Sequence, residues 1–313
     1  MKVTVFGGAG FLGSHVADVL SEAGHAVTVF DVKPSPYLRP DQQGIVGDIL
    51  NAGQVGEAVQ GCDILYNFAG VADIEEANAH PLDTVRVNIL GNMVLLEAAK
   101  QEQVKRFVFA SSLYVYSNAG AFYRSTKQAC ELLIDNYREA YGLPNTILRY
   151  GSLYGDRADR QNWIYRILHE AVTDGRIIRY GDGDEIREYI HVRDAARYSM
   201  AILAPEYENR HVIISGHQAI KVKDLLTMIK EIMGGQIAVE YRSPDDTRSP
   251  LEAKLHYEVT PYSFNPKIAH KLVGSDYMDL GQGLLTLLDE IYRTRHHYTS
   301  DAGVLFVEDE RCP

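Results

Sequence analysis

Three features of the sequence predict a doubly wound α/β fold, a parallel sheet with helices on both faces. Short β-branched runs (VTVF, AVTVFD, GIVGD, ILYNFA, RFVFASS, NTILRYG) alternate with helix-like segments through the first half of the chain. Such alternation reads as βαβ units, because parallel strands need crossover helices that cover both sheet faces. The first run leads directly into a glycine-rich turn, and the second ends in a carboxylate, Asp31. With 313 residues and 46% apolar content, the chain can bury a full core.

Taken in order, residues 1–155 are expected to form a dinucleotide-binding domain. Residues 156–295 are expected to form a smaller, partly interleaved lobe, with helices at 162–173 and 223–233 and a turn at GDGD, 181–184. A return segment near 187–215 is expected to send REYIHV and HVIIS back to the main sheet. From about Arg293 the periodicity is lost, and the tail at 296–313 is expected to be irregular.

A net charge of −11 argues against general affinity for nucleic acid or anionic membranes, both of which reward excess Lys and Arg. Three cysteines, Cys62, Cys130 and Cys312, have no paired spacing, so neither a disulfide framework nor a zinc site is expected. No leader pattern and no run of about 18 apolar residues occurs, which points to the cytoplasm. His296 and His297 lack companion ligands, and no metal is expected.

The turn after the first run is Gly7-Gly8-Ala9-Gly10-Phe11-Leu12-Gly13. Glycines at 7, 10 and 13 allow a tight turn and let backbone N–H groups approach a pyrophosphate at a helix N-terminus, where the dipole favours an anion. Glycine turns serve many loops, and placement between strand and helix is what makes this one a Rossmann-type candidate. Asp31 stands roughly 20 residues on, where an acid hydrogen-bonds the ribose 2′-OH and repels a 2′-phosphate, so NAD is expected over NADP. Gly47-Asp48-Ile49 and Asn67-Phe68-Ala69-Gly70 follow the third and fourth strands, at the carboxyl edge where ligands of such sheets bind. Ordinary turn chemistry is the alternative for both.

Tyr123 and Lys127 are four apart at the start of a long helical pattern and so share one helix face. A phenol, with an ordinary pKa of about 10, needs help to act as a base at neutral pH, and a nearby ammonium supplies it. A solvated surface pair would have the same spacing; Ser111-Ser112, ending the preceding strand, raises the catalytic reading by offering a hydroxyl to the reacting oxygen.

With GGAGFLG, Asp31, GDI at 47–49, NFAG at 67–70, NILGNMVLLEAA at 88–99, SSLYVY at 111–116, YRSTK at 123–127, LRYGSLYG at 148–155 and REYIHVRDAA at 187–196, the chain resembles the extended short-chain dehydrogenases/reductases, in the branch of NAD-dependent nucleotide-sugar epimerases and dehydratases. The resemblance spans about residues 1–290. It implies Ser112 as the hydroxyl partner, Tyr123 as base, Lys127 as its tuner, Asn88 beside the nicotinamide, and Tyr114 and Arg187 toward the substrate, Arg187 at its diphosphate. It also implies a homodimer. Met93, Leu96 and Ala99 in one helix and Cys130, Leu133 and Tyr137 in another are either its contact or plain core.

Several positions depart from that pattern. Only SNAGAF, residues 117–122, separates the VY pair from Tyr123, which shortens one wall of the sugar pocket. Leu113-Tyr114 stand where dehydratases carry Asp-Glu, and the usual sugar-contacting Asn corresponds to Ser152. LHYEV, 255–259, takes roughly the place of an Arg-Pro-Gly-Asp anchor. The expected function is epimerisation, at C4, of a nucleoside-diphosphate sugar. The alternatives are a dehydrogenase or keto-reductase that releases its product, and a non-catalytic NAD-binding regulator.

Overall fold

The quoted runs become β1 (Lys2–Phe6), β2 (Ala26–Asp31), β3 (Gln42–Val46), β4 (Ile64–Asn67), β5 (Arg106–Ser112) and β6 (Asn145–Tyr150). Between them lie α1 (Phe11–Glu22), α2 (Ala52–Val59), α3 (Ile74–Ala79), α4 (Pro81–Val85), α5 (Gly91–Gln101) and α6 (Ala121–Tyr141). They belong to a computed structural model that describes residues 1–243, 255–263, 265 and 267–301, with side chains through residue 294.

Beyond them follow β7 (Ser152–Tyr154), α7 (Trp163–Asp174), β8 (Arg176–Tyr180), β9 (Ile186–His191), α8 (Val192–Ala201), β10 (Arg210–Ile214), β11 (Ala219–Lys221), α9 (Val222–Ile232), β12 (Ala238–Arg242), β13 (His270–Lys271) and α10 (Leu280–Asp301). The main sheet has eight parallel strands in the order β13-β10-β6-β5-β4-β1-β2-β3. Chain order reverses at β1, which sits between β2 and β4. The loops after β1 and β4 therefore diverge there and leave a crevice, the usual ligand position in such sheets.

Alternation along the strands divides the core. Val3, Val5, Val108 and Leu148 join a cluster with Val16, Leu20 and Ala195 of α1 and α8. Phe107, Phe109 and Ile147 point the other way, onto Leu95, Leu96, Cys130 and Ile134 of α5 and α6. A third cluster, holding Ile164 and Leu168 of α7, Leu225 and Ile229 of α9 and Leu284 and Leu287 of α10, makes the core of the C-terminal lobe.

The structure differs from expectation in two places. HVIIS does return to the main sheet, as β10 beside β6. REYIHV does not: as β9 it pairs with β7 and antiparallel with β11 in a separate three-stranded sheet. A β-branched run specifies a strand but not its partner, and the register of β7 carries β9 away. The tail expected to be irregular continues helix α10 through Asp301. Residues 302–313, with Cys312, lie outside the described residues. No helix among the described residues is long and apolar enough to cross a membrane.

Candidate active site

The glycine turn is built as a phosphate cradle requires. Gly7 has φ +75, and a Cβ there would lie 2.5 Å from the Ala69 backbone N; one on Gly13 would lie 2.2 Å from the Gly7 carbonyl oxygen. Both contacts are with backbone, so both positions need glycine. Gly10 stands before α1 with no side-chain cap, and Phe11 and Leu12 begin the helix, leaving its first N–H groups to a ligand. This cradle fits a dinucleotide pyrophosphate.

Asp31 Oδ2 accepts the Ala9 N–H at 3.0 Å, which holds the carboxylate at the mouth of the turn. NAD is expected to bind at least tenfold more tightly than NADP, because a 2′-phosphate brought there meets this charge. Equal dissociation constants in a titration of the two cofactors would count against that role for Asp31.

The loops after β3 and β4 serve largely through backbone. Asp48 Oδ1 accepts the Leu50 N–H at 2.9 Å, an Asx turn, while Ile49 is buried against Gly91. Phe68 stacks on Tyr66 with centroids 5.8 Å apart, and Ala69 closes on Gly7. Asn88 is buried in a π-helical turn, Arg86–Leu90. Its Oδ1 accepts the Val71 N–H at 2.7 Å, and its Nδ2 donates to the Val71 carbonyl and to Thr126 Oγ1, both at 3.1 Å. Asn88 thus ties the loop beyond Gly70 to the helix that carries Tyr123, and the π turn frees its carbonyl to accept Cys130 Sγ at 3.1 Å.

At the carboxyl edge of β5, the Ser112 hydroxyl accepts the Tyr114 N–H at 3.3 Å, and the Tyr114 ring in turn lies against Tyr123. Lys127 is buried, with Nζ 2.8 Å from the Ala110 carbonyl and 5.7 Å from the Tyr123 ring centroid. Burial pushes the Tyr123 phenol up to about 12, against a downward pull from Ser112. The same burial lowers the Lys127 ammonium. The pair is therefore brought together as the spacing predicts, but the protein alone does not make Tyr123 a base at neutral pH; further positive charge beside it is needed.

Of the residues expected to meet substrate, Tyr114 lies edge-on to Tyr123 with centroids 6.0 Å apart. Ser152 pulls the Tyr257 phenol down against the burial that raises it, and Arg187 stacks over the Tyr257 ring at 4.5 Å while Nη1 donates to the Glu258 carbonyl at 3.1 Å. Ser111 does not face the cleft. Period-two alternation turns it with Phe107 and Phe109 toward α6, where its Oγ donates to Glu131 Oε1 at 2.5 Å. A hydroxyl buried and spent there is withheld from a sugar.

Sequence reasoning assigned no role to residues 256 and 257. Tyr257 packs on Tyr114 with centroids 4.5 Å apart, and the Tyr114 phenol meets His256 Nδ1 at 2.9 Å. The Gly120 N–H donates to the Leu255 carbonyl at 3.0 Å, so residues 255–257 pack against the short SNAGAF link and Tyr114. Their sequence signal was the place of LHYEV where the family's anchor motif stands, and two aromatic rings in an aperiodic stretch.

A glycine cradle at the switch point of a parallel sheet, an acid at the end of β2 and a Ser-Tyr-Lys set at the neighbouring strand end define an NAD-dependent enzyme of the Rossmann class. Residues 3–215 match the NAD dependent epimerase/dehydratase family, and the chain belongs to it. It is 25% identical, over 82% of its length and 93% of the relative's, to a protein of Bacillus subtilis called an uncharacterized UDP-glucose epimerase. It is also 28% identical, over 92% of both chains, to a dTDP-glucose 4,6-dehydratase of Mycolicibacterium smegmatis. Its fold is that of the UDP-glucose 4-epimerase of Thermotoga maritima solved with UDP-glucose: TM-score 0.78, 24% identity, covering 94% of this chain and 100% of that one.

Proposed function

We propose that this chain epimerises a nucleoside-diphosphate sugar at C4. The observation that carries the reading is the buried Lys127 beside the Tyr123 ring, with Ser112 at the carboxyl end of β5 and no carboxylate at 113 or 114. Tyr123 takes the proton of the sugar hydroxyl while Ser112 holds that oxygen, and Lys127 favours the phenolate. Bound NAD, held by the glycine turn and Asp31, would supply a reversible hydride acceptor and positive charge. Once the keto-sugar has turned within the cleft, Tyr123 would return the proton to the same oxygen. Tyr114, Ser152 and Tyr257 line the sugar site, and Arg187 meets the diphosphate. The packing of residues 255–257 against Tyr114 supports retention of the keto-sugar, which separates an epimerase from a dehydrogenase. Elimination of water is disfavoured, because Leu113, fully buried, and Tyr114 stand where a dehydratase needs an acid and a base.

The test incubates the purified protein with UDP-glucose, UDP-galactose and dTDP-glucose in excess NAD. Interconversion of a pair of epimers without stoichiometric NADH is expected. NADH rising in step with a released keto-sugar would replace epimerisation with dehydrogenation, and a 4-keto-6-deoxy product would overturn the argument from Leu113 and Tyr114.

A homodimer through α5 and α6 is part of the same reading. Of the six positions named for it, Leu96, Ala99 and Cys130 are fully buried in the chain's own core. The outward apolar groups of this region are Leu90, Leu132 and Tyr141, each more than half exposed. Sedimentation should give a mass of two chains, and Leu132→Glu should shift it to one. Buried free thiols at Cys62 and Cys130 accord with a reducing, cytoplasmic setting.

A further inference from the structure

We propose that Ser111, held by the buried Glu131–Arg149 pair, is a positioning residue that sets the Ser112 hydroxyl against the Tyr123 phenol. The inference rests on the roles given to Ser112 and Tyr123 above. Strand β5 faces β6 so that Ser111 pairs in register with Arg149, and alternation turns both side chains onto α6. There Glu131 stands two turns beyond Tyr123 on the same helix. Arg149 grips it through both arms, Nε to Oε1 at 3.0 Å and Nη2 to Oε2 at 2.6 Å, and Ser111 Oγ donates to Oε1 at 2.5 Å. Arg149 is fully buried, and Glu131 nearly so.

The third arm of Arg149 reaches forward. Nη1 donates to the Lys267 carbonyl at 2.7 Å and to the Tyr116 hydroxyl, and Tyr116 closes the 3-10 turn Leu113–Tyr116 that begins immediately after Ser112. Ser112 is thereby bracketed. The residue before it is tied to Glu131, and the turn after it is tied to Arg149. A buried pair whose hydrogen-bonding groups are so fully engaged resists rearrangement, because any shift leaves a charge uncompensated in low dielectric. A buried salt bridge that served packing alone would have no reason to hold both the residue before Ser112 and the turn after it.

The experiment compares Ser111→Ala, Ser112→Ala and the double variant in the UDP-glucose epimerisation assay. Ser111→Ala leaves Glu131 bonded to Arg149, so the protein is expected to fold. Turnover should fall about tenfold from misplacement of Ser112, with KM and NAD affinity within about twofold of wild type. The rising limb of its pH–rate profile should move to higher pH, since Tyr123 loses part of the pull by which Ser112 favours the phenolate. The double variant should be no slower than Ser112→Ala, because Ser111 acts only through Ser112. Wild-type turnover in Ser111→Ala beside a crippled Ser112→Ala would overturn the positioning role alone, as would a Ser111 effect that persists without Ser112. A fully active Ser112→Ala would overturn the catalytic reading, and this inference with it.

Discussion

Tyr123→Phe is expected to cut turnover by about 10²-fold or more while leaving NAD bound, the scale of a lost general base. The Tyr123 ring meets Tyr114 edge-on, and among the described residues its phenol makes no hydrogen bond to the core, so its loss removes chemistry more than stability. Its pH dependence has a definite sign. Burial holds the phenol protonated up to about 12 in the protein by itself. The fraction able to accept a proton at neutral pH is therefore small and grows about tenfold per pH unit, so turnover should rise with pH at a slope of about one and level off at the pKa of Tyr123 in the working complex. With NAD bound, the positive ring and Lys127 favour the phenolate, and the plateau should come at lower pH than in the protein alone. Steady-state rates across pH, with binding of NAD followed by calorimetry, check both parts. A Phe variant that kept over half the wild-type rate, or kept the rising limb, would remove Tyr123 from the chemistry.

Gly13→Ala should cost cofactor affinity about 5- to 150-fold, the range that 1–3 kcal/mol of overpacking corresponds to. A methyl there would sit 2.2 Å from the Gly7 carbonyl oxygen and 2.9 Å from its carbon, and backbone of the same turn cannot step aside without distorting the cradle. Gly10→Ala is the comparison. Its Cβ would lie 3.2 Å from the same oxygen, a contact relieved by a few tenths of an ångström, so the loss of NAD binding should be smaller. The reverse order of effects in calorimetric titrations of the two folded variants would contradict this account of why the helix can approach the strand so closely.

The sequence by itself determined the parts of this protein in which chemistry and chain order coincide. The strand runs, the glycines at 7, 10 and 13, Asp31 at the end of β2 and the Tyr123–Lys127 spacing all lie within single elements or adjacent ones. Local periodicity and turn chemistry suffice to place such residues. Tertiary structure decided the rest, because it depends on which surfaces meet. Ser111 and Ser112 are indistinguishable as letters, and only the pairing of β5 with β6 and α6 sends one hydroxyl to Glu131 and leaves the other to accept the Tyr114 N–H. REYIHV reads as a strand for any sheet, and the partner it takes is β7. LHYEV has no period at all, yet 142 residues separate Tyr114 from the His256 that it meets across the cleft. Contacts at such separation are selected by the free energy of closing the whole chain around a common core, to which no local pattern of residues bears witness.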